Sequence, residues 1–241
     1  MSNSTLPFLF AAQAVFLSFL LIRARRSGAL SGRGTFFGFA ILAALAGWGV
    51  FSGILARDGV YAQDWFLASW PPFWITMPPV LLLSLPLMTG PGRDGMRALI
   101  DSVPDYWNTA LQCLRICAIG GVMKGLNGDF TLYFALLIGI PDLLFGLSAL
   151  WMTRRVAQRR VTGPRLAAWH LCGAAVIVPS ALILMQMGLP GPVQVFTDAP
   201  GMAAIFQFPM ALAPTLVVPV FVALNFLIAW RLLERARDGV R

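Results

Sequence analysis

The chain has 241 residues, of which 58% are hydrophobic and only 12% charged, with a net charge of +8. So few charges cannot cover the surface of a soluble domain of this size. The basic residues lie in short tracts between long apolar blocks and make no phosphate-binding groove, which argues against nucleic acid as a partner.

A helix needs roughly 20 apolar residues to cross the hydrocarbon of a bilayer. Seven blocks approach that length, at about 6–22, 35–56, 73–88, 104–123, 130–152, 166–187 and 202–230. They use nearly the whole chain, so residues 1–241 read as one integral membrane domain, an all-α bundle of seven transmembrane helices. The first block is followed at once by Arg23, Arg25 and Arg26. A secretory signal carries its positive charge before the apolar run. The reversed order predicts a retained helix with its N-terminus outside.

The second block has Ala40, Ala43, Ala44, Gly47, Gly49 and Gly53 at small-xxx-small spacing. Helices gain no hydrophobic driving force against lipid and associate through close backbone contact or polar bonds, so this block is expected to be the tightly packed central helix. After the third block, Gly90 to Ser102 is long enough for a short interfacial helix with Met96, Leu99 and Ile100 on its apolar side.

The fourth block is the most polar. At about 100° per residue, Asn108, Gln112 and Arg115 share one narrow face, within reach of Gln13 in the first block. Arg115 lies halfway along this block and Asp142 halfway along the fifth. The two blocks run antiparallel through a short turn, which sets both residues at similar depth. An ionisable residue there costs roughly 2.5–3.5 kcal/mol on insertion scales, so a neutralising Arg115–Asp142 pair is expected. It reads equally as the centre of a functional site or as a clamp between two helices.

Depth alone suggests two further pairs, His170 with Asn225 and Gln186 with Gln207, both read first as helix-packing hydrogen bonds. The stretch from Leu189 to Gly201, with three prolines and two glycines, reads as an outer loop. In the last block Pro209, Pro214 and Pro219 each remove a backbone donor. Carbonyls near Ile205, Met210 and Thr215 are thereby open to a neighbouring helix, water or a ligand.

The connecting segments orient the bundle. Tracts after the first, third and fifth blocks, together with the C-terminal tail, hold fifteen arginines, whereas the opposite segments hold Arg57 and Lys124. This positive-inside bias predicts a cytoplasmic C-terminus in a bacterial inner membrane. Tyr61, Trp65 and Trp70 are expected as interfacial aromatics at the opposite side.

Several chemistries are excluded. A retinal Schiff base needs a lysine in the last helix, and Lys124 is the chain's one lysine. Bis-histidine haem needs two histidines, and there is one. Cys113, Cys117 and Cys172 fall inside predicted spans and read as small apolar fillers with no zinc-ligand spacing around them. No cofactor is expected.

The second half of the chain resembles a group of bacterial multi-pass inner-membrane proteins. The resemblance rests on Phe134-Ala135-Leu136 with Gly139, Asp142 and Gly146, on Ala168-Trp169-His170-Leu171-Cys172-Gly173, and on the three spaced prolines. Pro141 stands where that group has glycine, and His170 where it has asparagine. The resemblance implies a helical membrane fold and singles out Asp142; it brings no activity with it.

Three functions remain open: binding or transport of a small molecule or lipid at a midplane polar site, an accessory role in a larger membrane complex, and a membrane-embedded enzyme. Membrane lipids are the expected partners, with other membrane subunits under the second reading. Enzymatic chemistry is the least favoured, because Asp142 has no second catalytic group beside it.

Overall fold

A computed structural model describes residues 4–129, 131–197, 199 and 201–239. Phe130, the expected start of the fifth block, lies outside the described residues. Among the described residues every regular element is a helix, with no strand. Six helices are long and apolar enough to cross a membrane. These are α1 (Leu6–Arg26), α2 (Gly32–Arg57), α3 (Pro71–Met88), α6 (Leu132–Ala157), α7 (Gly163–Met187) and α8 (Ala213–Arg237). Between them lie α4 (Gly90–Asp101) and α5, the helical run over 105–126. The fourth expected block, the most polar of the seven, is a continuous helix, α5, but it is not among the six, because its Asn, Gln and Arg residues lower its hydropathy below that of its neighbours.

Local chemistry fixes the helix ends. The Ser31 and Thr89 side chains cap α2 and α4 by accepting from the amides of Gly34 and Gly92. Arg23, Arg25 and Arg26 occupy the last turn of α1, where cations complement the helix dipole. As expected, the segment after α3 is a helix, and Met96 and Ile100 are buried on its inner side. Its charged side, together with Asp105 at the start of α5, is tied to the end of α8. Arg97 pairs with Glu234, Arg231 with Asp101 at 2.8 Å and with Glu234 at 2.7 Å, and Arg235 with Asp105 at 2.7 Å.

The central helix is α8, not α2. In its most apolar window 67% of residues are buried, against 28% in α2. The small residues of α2 divide by face. Gly49 and Gly53 are buried, and a Cβ on Gly49 would lie 2.5 Å from the Leu216 side chain of α8. Ala40, Ala43, Ala44 and Gly47 face outward. Spacing identified a helix that makes close contacts, but one stripe of it cannot make a helix central. The sequence of α8 does so by being apolar on every side, with Val220, Phe221, Val222 and Ala223 all buried in succession.

The last block also begins later than expected. Residues Met202–Phe206 form a separate 3-10 turn, Gln207 is extended, and the Phe208–Pro209 peptide is cis. Pro209 and Pro214 both lack the amide needed to continue a helix through this stretch. The membrane helix starts only at Ala213, and runs on to Arg237. Tyr61, expected beside Trp65 and Trp70 as an interfacial aromatic, is 2% exposed, whereas both tryptophans are exposed. It stacks on Phe66 and shares a hydrogen bond with Ser52 at 3.2 Å.

Candidate functional site: a buried polar chain beside an apolar cavity

The middle of α5 tightens from α to 3-10 geometry over Leu111–Ala118. In a 3-10 helix, residues i and i+3 eclipse one another, so Gln112 and Arg115 project along the same line. Both are buried, at 0% and 1% exposed. Two glycines let the neighbouring helices close around them. A Cβ on Gly146 of α6 would lie 2.6 Å from the Ile116 amide nitrogen, and one on Gly173 of α7 would lie 2.2 Å from the Phe145 ring. At Gly146 the contact is with backbone and leaves no room for a side chain, and at Gly173 a side chain would have to displace the Phe145 ring, which gives a packing reason for two of the glycines in the motifs above.

The expected ion pair forms. Arg115 Nε donates to Asp142 Oδ1 at 2.5 Å, and its Nη1 donates to the Gly173 carbonyl at 3.0 Å. The guanidinium also lies over the Phe145 ring, 4.3 Å from its centroid. A carboxylate, a carbonyl and an aromatic face together surround the cation, as a charge held away from water requires.

His170 and Asn225 also meet, with Nδ1 and Oδ1 2.7 Å apart. They are not a separate pair. Asn225 Nδ2 donates to Gln112 Oε1 at 3.3 Å, and the same oxygen is 3.5 Å from Arg115 Nη1. One chain therefore runs Asp142–Arg115–Gln112–Asn225–His170 across α5, α6, α7 and α8. Its polarity is fixed from one end. Arginine can only donate, so the oxygen of Gln112 faces it; Asn225 must then turn its NH2 to Gln112 and its oxygen to His170. His170 Nδ1 therefore carries a proton. Within this chain of side chains three buried nitrogens are left without a protein partner: Arg115 Nη2, Gln112 Nε2 and His170 Nε2.

The structure separates the other expected members. Asn108 is buried but donates to the Ile100 carbonyl at 3.3 Å, joining α5 to α4. Gln13 is buried and donates to the Val217 carbonyl of α8 at 3.3 Å, so it does not reach Arg115. Gln186 and Gln207 do not pair. Gln186 is 2% exposed with neither amide atom bonded, whereas Gln207 lies exposed in the extended stretch before Pro209. Matching depth failed there because Gln207 is not on a helix. Among the carbonyls, Thr215 behaves as the proline spacing predicts. Pro219 has no amide to return to it, and it accepts from Trp48 Nε1 of α2 at 2.7 Å.

Beside this chain is a cavity of about 330 Å3. Arg115 and Asp142 line it, and the Asp142 side chain keeps 14% of its surface exposed. Most of the remaining wall is apolar, from α1, α3, α5, α6, α7 and α8. Two single π-turns border it, Ala135–Gly139 in α6 and Ala213–Val217 in α8. A π-turn interrupts the α ladder and widens the helix, and such turns concentrate at functional sites. No sequence pattern marked either one. No family model, curated protein or solved structure matches this chain.

Proposed function

We propose that this chain is a multi-pass protein of the bacterial inner membrane that binds or transports a small molecule or lipid beside Arg115 and Asp142. In this reading α5 is a seventh crossing, the N-terminus is outside and the C-terminus cytoplasmic. Its polar residues Asn108, Gln112 and Arg115 are all buried, so its lower hydropathy is not presented to lipid. The distribution of arginines supports the orientation.

One observation carries the function: a cavity of about 330 Å3, largely apolar, with a carboxylate exposed on its wall. Ligand sites have this character, a concave apolar enclosure of roughly 300–1,000 Å3 with a few placed polar groups. Asp142 keeps part of its surface open to the cavity, and the chain back to His170 holds it in place.

Native mass spectrometry of the protein extracted in mild detergent tests this reading. A retained small molecule or lipid, lost or weakened in Asp142→Asn and Arg115→Leu, is the expected result. Retention unchanged in both variants would mean the site is wrongly placed. A fixed mass with other membrane subunits and no bound small molecule would favour the accessory role instead.

A further inference from the structure

We propose that the cavity selects a single-chain amphiphile with an anionic head, its carboxylate or phosphate held at Lys124 and its hydrocarbon chain running inward past Asp142. This inference rests on the cavity being a binding site, and it names the ligand class and its direction.

In a bilayer a hydrocarbon chain gains no hydrophobic driving force by moving from lipid into an equally apolar pocket. Selection among lipids therefore falls to the polar groups on the wall. Three charged residues line the cavity: Arg115, Asp142 and Lys124. The first two neutralise each other at 2.5 Å. Lys124 remains, a lysine only 9% exposed at the far end of α5, with the Ser4 and Thr5 hydroxyl-bearing residues also on the wall. Among the described residues its ion pair is a loose one, 3.7 Å to Asp129, which is itself half-exposed. An ammonium carries three donors, so it can donate to a ligand oxygen without breaking a tight bond.

The direction follows from the sign of the deep group. Of the deep pair only the Asp142 carboxylate keeps exposed surface, the Arg115 side chain being 0% exposed, so an anionic head placed there would meet a like charge in a low-dielectric setting, whereas an alkyl chain meets none. From Lys124 to Arg115 is roughly 15 Å, at about 1.5 Å per residue in the α turn and about 2.0 Å in the 3-10 segment, a span a hydrocarbon chain can follow. The volume lies at the low end of ligand cavities, which suits one chain better than two.

The test uses the full chain in phosphatidylcholine nanodiscs with an anthroyloxy-stearate probe. Saturable probe binding should be displaced by oleate or lysophosphatidylglycerol, and by oleyl alcohol only at roughly tenfold higher concentration. The more effective of the two anions identifies a carboxylate or a phosphate head. Lys124→Met should weaken the anions by about tenfold and leave oleyl alcohol unchanged. Gly121→Phe should abolish binding of all of them. Gly121 lines the cavity, and a Cβ there meets no atom within 4 Å, so the ring enters open space and unfolding should stay near wild type.

If oleyl alcohol competes as well as oleate and Lys124→Met changes neither, anion selection is overturned while the cavity remains a binding site. If no probe binds saturably, or Gly121→Phe leaves binding intact, the cavity reading itself fails.

Discussion

Among the described residues the protein holds two sets of arginine–carboxylate contacts, one at the centre of the bundle and one where α4 and the start of α5 meet the end of α8. The chemistry is the same and the setting is not. At the base, Arg97, Arg231 and Arg235 share Asp94, Asp101, Asp105 and Glu234. Any one contact there can be replaced by another or by water. At the centre, Arg115 has one carboxylate, one carbonyl and one ring. Among the described residues the one further contact is the long one to Gln112 at 3.5 Å, and no second carboxylate stands by to replace Asp142. The difference predicts a steep order of mutational effects.

The largest effect is expected at the central pair. Asp142→Ala leaves the guanidinium buried without its counter-charge, and breaking a buried pair from one side costs about 3–5 kcal/mol. Thermal unfolding in mild detergent measures it. The double variant Arg115→Met/Asp142→Leu should recover most of the loss, because the uncompensated charge is gone. A single-variant loss below ~1 kcal/mol would show instead that water reaches the pair as freely as it reaches the base.

The central pair was legible in the sequence, and the base network was not. Depth can be read from position along a helix, and it brought Arg115 to Asp142 and His170 to Asn225. Azimuth between helices cannot be read that way. Nothing in the spacing joined these two pairs through Gln112, or directed Gln13 to the Val217 carbonyl. Depth also fails where a helix is assumed and absent, as for Gln207. Small-residue spacing found the close contact at Gly49 but misplaced the centre of the bundle, since outward-facing Ala40 and Ala44 fit the same pattern. The apolar blocks and the amphipathic α4 were legible because composition and period determine them directly. Both π-turns and the cavity between them arise from tertiary packing and have no such signature.

An intermediate effect is expected along the polar chain that leads away from the pair. Asn225→Leu removes its middle, leaving the Gln112 oxygen with only the 3.5 Å contact to Arg115 and His170 Nδ1 without an acceptor. Stranding buried polar groups costs about 1–3 kcal/mol. Combined with His170→Leu, the loss should be non-additive by about 0.5–3 kcal/mol, as for residues in direct contact. Additive losses in that double-mutant cycle would mean that His170 and Asn225 act separately, and the chain would shorten to Gln112, Arg115 and Asp142.

The smallest effect is expected at the base. Asp101→Asn weakens the contacts to Arg231 and to Arg235, the second already long at 3.9 Å. Glu234 and Asp105 remain to hold the same arginines. Partly exposed pairs of this kind contribute under ~1 kcal/mol, and salt screens them. The variant should unfold slightly earlier than wild type at low ionic strength and together with it in about 1 M salt, where the Debye length falls to about 3 Å. Asp142→Ala should show no such convergence, because salt does not enter the bundle. A base variant that stayed destabilised in high salt would place α4 against α8 as firmly as Arg115 is placed against Asp142, and the contrast between the two regions would be lost.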